Sequence, residues 1–392
     1  MPPPDPKVGA TIFDFDTPVD RRNTASTKWD KYKGREVLPL WVADMDFRSP
    51  PAVTRALRDR ADHAVFGYTG PPEELVEVVL ARLAKRYGWN VERESLLWLP
   101  GLVTGLNVVC RAVGEDGDAV VTAVPVYPPF LTAPKNSRRE LVTVPLARAG
   151  ERWEFDLERF EASIAPSTRL FLLCNPHNPV GRAFTRAELE ALAAVCERHD
   201  VVICSDEIHC DLILDPGATH TPIAALSPEV ARRTITLMAP SKTFNLPGLG
   251  CSFAVIQNPD LRKRFRAAAA GIVPHVNILG FAAALAAYRD GGEWLAQLLS
   301  YLRGNLGAVL RAMPGMPGLA MSAPEATYLA WVDARGTGVE NPARFFEEAG
   351  VGLSDGADFG GPGFVRLNFG CPRATLDEAL SRMAKAVDSL RP

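Results

Sequence analysis

The chain has 392 residues, 47% hydrophobic and 23% charged, with 43 basic against 46 acidic side chains and a formal net charge of -3. That composition belongs to a globular protein large enough for two domains and a deep site. The near-balance of charge leaves no electrostatic footprint for nucleic acid or an anionic membrane, and no apolar run approaches the ~18 residues of a membrane span, so a small-molecule substrate is expected.

Residues 1–11 are proline-rich and expected to fray. They lack the basic and apolar regions of a secretion signal, which points to the cytoplasm. Leu75, Val78, Val79 and Leu83 then recur at helical spacing behind Glu73 and Glu74, and Gly88 is placed to stop that helix. Thr185-Arg-Ala-Glu188 reads as a capping box that opens a second helix. Short apolar runs at 96–99, 119–124, 170–174, 201–205, 234–238 and 251–256 suit buried parallel strands. Strands alternating with helices predict a doubly wound α/β domain with a mostly parallel sheet, at about 48–290. Alternating strands at 327–332 and 364–369, mixed with helices, predict a smaller α+β domain at 291–392. Residues 1–47 are expected to join it. The cysteines, Cys110, Cys174, Cys196, Cys204, Cys210, Cys251 and Cys371, are odd in number and sit mostly in apolar runs. They read as buried thiols in a reducing compartment. His209-Cys210 beside Cys204 makes no zinc pattern, and no metal is expected.

Ligands of open α/β sheets bind outside the carboxyl ends of the strands, so the segments that follow the strands carry the functional reading. After 96–99 comes Pro100-Gly101-Leu102-Val103-Thr104-Gly105, either an ordinary tight turn or a helix start with free N–H groups for a phosphate. After 119–124, Tyr127 either packs in its loop or lays its ring over a planar ligand. After 170–174, Asn175-Pro-His-Asn178-Pro-Val-Gly181 is a rigid turn, with Asn178 able to donate to a phenolate oxygen. Asp206, at the end of 201–205, is a carboxylate where burial is costly. It reads as a capping group or as the partner of a pyridinium nitrogen. After 234–238, Lys242 follows Ser241 directly. A buried lysine has a depressed pKa and forms Schiff bases, and Ser241 can bind phosphate. In 364–369, Val365, Leu367 and Phe369 share one face and Arg366 and Asn368 the other. Arg366 serves as a carboxylate fork or as half of a structural ion pair. A Schiff-base lysine, a pyridinium partner, a ring stacker, a phosphate cradle and a carboxylate fork at one end of one sheet point together to pyridoxal 5'-phosphate.

Longer motifs narrow this. Lys28-Trp-Asp30, Leu40-Trp-Val-Ala-Asp-Met-Asp-Phe47, Phe66-Gly-Tyr-Thr69, Cys174-Asn-Pro-His-Asn-Pro179, Ser205-Asp-Glu-Ile-His209 and Pro240-Ser-Lys-Thr-Phe-Asn245 resemble the MalY/PatB-type cystathionine β-lyases. These carbon–sulfur lyases belong to the fold-type I, aspartate-aminotransferase-like enzymes. The resemblance implies that Lys242 bonds the cofactor, Asp206 meets its ring nitrogen, and Asn178 and His209 lie near its phenolic oxygen. Tyr127 would stack on the ring, and Val103, Thr104 and Ser241 would hold the phosphate. Arg366, with Asn178, would bind the substrate carboxylate. Tyr68 would act at the phosphate of a neighbouring subunit, which implies a homodimer with shared active sites. Two departures from an ordinary aminotransferase, Gly250 where an arginine is usual and His209 where a tyrosine is usual, favour a lyase acting on cystathionine or related S-substituted cysteines. An amino-acid aminotransferase, and a regulatory protein that keeps the cofactor, remain the alternatives.

Overall fold

The computed structural model describes residues 12–150 and 152–390; the expected fraying of 1–11 lies outside them. Seven strands form one sheet, in the spatial order Leu96–Leu99, Ser252–Val255, Thr234–Met238, Val202–Asp206, Thr168–Cys174, Ala119–Val124, Glu140–Pro145. The last five of these pair in parallel, whereas Ser252–Val255 runs against both its neighbours. This corrects the expectation of a parallel strand at 251–256. A parallel return needs a long, usually helical crossover. The link after Met238 holds only the short 3-10 turn Pro247–Leu249, so the chain comes back antiparallel.

Both faces of the sheet are covered because its strands are apolar on both sides. On one face Leu106, Val109 and Phe265, from helices Leu102–Ala112 and Pro259–Ala269, pack on Leu172, Leu237 and Ala254. On the other, Leu189, Leu192 and Cys196 of helix Arg186–Arg198 pack on Phe171, Leu173 and Ile203. Each such fully buried side chain contributes roughly 1.5–3 kcal/mol of transfer free energy. The Thr185–Glu188 capping box forms reciprocally. Gly88 ends its helix in the left-handed region at φ 63, where it closes hydrogen bonds to Ala84 and Leu83. The buried stripe of that helix is Leu75, Val76, Val79 and Leu83, with Val78 only half-buried, because the apolar face is rotated by part of a turn from the expected one.

A second, antiparallel sheet has the order Ala320–Met321, Leu329–Asp333, Phe364–Asn368, Ser354–Asp355. Val365, Leu367 and Phe369 pack with Leu298, Leu302, Leu376 and Met383 of helices Gly292–Ala312 and Arg373–Asp388. The early strand Leu38–Pro39 pairs in parallel with Val351–Gly352. Residues beyond it cross between the two sheets. Among the described residues no helix is long and apolar enough to cross a membrane.

Candidate active site

One cavity of about 250 Å³ is lined by Val103, Thr104, Tyr127, Asn178, Asp206, His209, Ser241, Lys242 and Arg366. All but Arg366 follow or end strands of the large sheet, at the carboxyl ends of its parallel strands. Arg366 comes from the small sheet, which corrects the expectation that the whole set shares one sheet. A larger depression of about 740 Å³ sits at the opposite end and contains none of these residues.

Lys242 lines the cavity half-buried. Burial, the first cause, draws its amine down to about 8, and the Arg366 cation adds to this against the pull of Asp44 and Asp206. Its Nζ donates to the Ala43 carbonyl at 2.5 Å. Across the cavity Asp206 is buried, and its carboxyl is pushed up to about 7 by desolvation. It accepts from the Ile208 N–H at 3.0 Å, the Lys242 charge only partly offsets its burial, and no salt bridge reaches it among the described residues. A buried acid in that condition suits a cationic ligand atom.

Arg366 is 3% exposed. Its Nη1 donates to Asn178 Oδ1 at 3.0 Å and its Nη2 to the Trp41 carbonyl at 2.8 Å, while its buried Nε has no partner among the described residues. Burial draws it down to about 10, so it stays a cation at neutral pH. Because Arg366 takes the Asn178 carbonyl oxygen, the Asn178 amide nitrogen is left as a donor for a ligand oxygen. Tyr127 is anchored beside Asn178 by a backbone bond from its N–H to the Asn178 carbonyl at 3.1 Å. His209 is buried and neutral; desolvation, helped by the Lys242 and Arg366 cations, lowers it to about 3. Its Nδ1 has no partner among the described residues, and its ring meets Tyr328 edge-on at 6.2 Å.

The helix Leu102–Ala112 starts at Gly101 with no side-chain cap. Its first-turn residues Leu102, Val103 and Thr104 line the cavity, and no side chain caps their N–H groups, the setting of an anion site. Gly250 also lines the cavity. It sits at φ 57, and a Cβ there would meet the Pro100 carbonyl at 3.1 Å. A side chain there would push on that carbonyl by a few tenths of an ångström and would hold a strained positive φ.

Tyr68 is the predicted residue that this chain does not bring to the cavity; it is fully exposed, beside exposed Val65 and Phe66. Sequence reasoning assigned no role to Val42, Ala43 and Ile208, which line the cavity, or to Tyr328, whose hydroxyl donates to the Ala43 carbonyl at 3.0 Å. The motif at residues 40–47 was the available signal for the first two.

Residues 35–383 match the family model for aminotransferase class I and II. The chain belongs to the class I and II aminotransferase family. Within it, the chain is 40% identical to cystathionine beta-lyase PatB of Bacillus subtilis, over 96% of this chain and all of PatB, which puts it in the MalY/PatB-type branch. Its structure is similar to that of OvoB, with a TM-score of 0.94 and 49% identity over 96% of this chain and all of that one. It is similar as well to cystalysin of Treponema denticola, solved with pyridoxal 5'-phosphate, with a TM-score of 0.92 and 34% identity over 97% of this chain and all of that one. The cavity fits such a cofactor. A buried acid of raised pKa, a lysine of lowered pKa and an uncapped helix start suit a cationic ring nitrogen, an aldehyde and a phosphate respectively.

Proposed function

We propose that this class I and II family member is a pyridoxal-phosphate-dependent carbon–sulfur β-lyase. It cleaves cystathionine or related S-substituted cysteines to a thiol, pyruvate and ammonia. The observation that carries this reading is the pairing, across one cavity, of a half-buried lysine of lowered pKa with a buried aspartate of raised pKa, under an arginine whose buried Nε has no partner among the described residues. When bound, the cofactor supplies an electron sink for the charge left at the substrate's Cα.

The residues divide the remaining work. Lys242 would bond the cofactor, and its amine, once released, takes the Cα proton as general base. Asp206 would keep a proton on the ring nitrogen through its negative charge. Asn178 would donate to the phenolic oxygen, and Tyr127 would pack against the ring. The first turn at Val103 and Thr104, with Ser241, would hold the phosphate. Arg366 grips the substrate's α-carboxylate through the guanidinium edge that Asn178 and Trp41 orient. A thiolate is a good leaving group and needs little protonation to depart, so the neutral His209 need not supply a strong acid.

We further propose a homodimer in which Tyr68 of the partner subunit completes each site; the full exposure of Tyr68 beside Val65 and Phe66 supports it. The same reading places the boundary between a large, cofactor-holding domain and a smaller one near residue 290, with residues 1–47 joining the smaller. The seven cysteines are free and buried, which supports a cytoplasmic, reducing setting.

The test is a product assay. Incubation with cystathionine or S-substituted cysteines should yield pyruvate and thiol in equal amounts, and cystine should yield pyruvate with a persulfide. Amino transfer to a 2-oxo acid that outpaces pyruvate release would establish the aminotransferase instead.

A further inference from the structure

Two motifs shared with the lyases, Lys28-Trp-Asp30 and residues 40–47, supply none of the groups assigned above to cofactor or substrate, although Val42 and Ala43 line the cavity. Residues 41–47 form a strap between the strand Leu38–Pro39 and the helix Pro51–Asp62. Side chains hold the strap by its carbonyls. The Ala43 carbonyl accepts from Lys242 at 2.5 Å and from Tyr328 at 3.0 Å. The next carbonyl, that of Asp44, accepts from Lys28 and from Asn368, both at 2.8 Å.

Lys28 has a fully buried side chain. Its Nζ also donates to Asp46 Oδ2 at 2.8 Å, and Asp46 accepts further from Arg21 at 2.7 Å and from Trp29 Nε1 at 2.9 Å. Burying an ammonium is expensive, and a well-packed apolar pair often serves stability as well or better. A buried ion pair kept at this point therefore suits a task of register rather than of bulk stability. The peptide that Lys28 grips is directly adjacent to the one that receives Lys242. The charged groups facing Lys242 are Asp44 and Asp206, which favour its charged form, and Arg366 and Lys28, which oppose it; His209 and Tyr328 are neutral neighbours.

We propose that Lys28 is a positioning residue for the reaction: clamped between the Asp44 carbonyl and the Asp46 carboxylate, it fixes the strap so that the Ala43 carbonyl receives the Lys242 amine whenever that amine is not bonded to a ligand. A donor–acceptor contact of this kind parks the released amine at one place between proton transfers. It rests on the assignment of Lys242 as the cofactor lysine.

The test uses Lys28→Met, which keeps the length of the side chain and removes its charge. In the cofactor-free protein, the pH dependence of Lys242 acetylation is followed by mass spectrometry. In the holoenzyme, kcat and KM are measured on an S-substituted cysteine. The acetylation midpoint should move to higher pH, because a repelling cation is gone. With Lys242 less well placed, kcat should fall on the order of tenfold or more while KM stays near the wild-type value. A folded Lys28→Met protein with wild-type kcat, or with the wild-type Lys242 midpoint, overturns the proposal. If Lys28→Met does not fold, Asp46→Asn decides. Removing the carboxylate that clamps Lys28 should slow kcat with KM near the wild-type value, and a wild-type kcat overturns the proposal. Whether Lys242 bonds the cofactor is read independently, from the visible spectrum of Lys242→Ala, so the two assignments fail separately.

Discussion

Replacing Asp206 by asparagine should stabilise the cofactor-free protein and disable the loaded enzyme. The reason lies in burial. Asp206 is 4% exposed, and desolvation pushes its carboxyl up to about 7 in the absence of a ligand cation. An acid whose folded pKa lies above its unfolded value of 3.8 leaves stability intact below pH ~4. Stability is lost as pH rises, until the folded-state group has also ionised near pH 7. At about 1.36 kcal/mol per pH unit, this costs up to roughly 4 kcal/mol of folding free energy at neutral pH. Asparagine has the same shape, can still accept from the Ile208 N–H and carries no charge. Urea unfolding of the two cofactor-free proteins from pH 4 to pH 8 should show a gap in favour of Asp206→Asn that opens above pH ~4 and levels off near pH 7. With cofactor bound the gap should shrink or reverse, because the ring nitrogen then compensates the carboxylate. Turnover should fall on the order of 10²–10³-fold, the loss expected when one partner of a buried charge pair is removed. A gap that does not vary with pH, or a less stable Asp206→Asn protein at pH 8, would refute the argument from desolvation.

Lys242→Ala should retain the fold and lose the visible absorbance of the bound cofactor; persistence of that band would move the covalent attachment elsewhere. Arg366→Lys keeps a positive charge but loses the fork. It should raise KM on the order of tenfold or more with a smaller change in kcat, measured by steady-state kinetics on an S-substituted cysteine. Unchanged kinetics would make Arg366 a structural link between Asn178 and the Trp41 carbonyl. Thr185→Ala removes the cap of helix Arg186–Arg198 and should cost about 1 kcal/mol in thermal unfolding without touching turnover. Tyr68→Phe should slow turnover while leaving unfolding of the isolated chain unaltered, since its side chain is fully exposed there; wild-type turnover would remove Tyr68 from the site.

Much of the site could be read from local sequence because its residues lie where apolar strands end. Periodicity locates a strand, the strand's carboxyl end locates the ligand crevice, and a lysine or aspartate at such an end is conspicuous by its cost. Tyr127, Asn178, Asp206, Ser241 and Lys242 follow from that logic, and all of them line the cavity. The strand at Ser252–Val255 was legible as a strand but not in its direction, since direction depends on whether the preceding link crosses the sheet. Arg366 was legible as an inward-facing arginine, but its source in the second sheet was not. The strap was not legible at all as a set of acceptors. Backbone carbonyls carry no residue-type signature, and the donors that hold them, Lys28, Lys242, Tyr328 and Asn368, are scattered over more than 300 residues of chain. Sequence alone thus determined which chemistry is present and which strand ends present it. Only the tertiary structure decided how the groups face one another, because desolvation, hydrogen-bond reach and pKa depend on distances that close when distant segments pack.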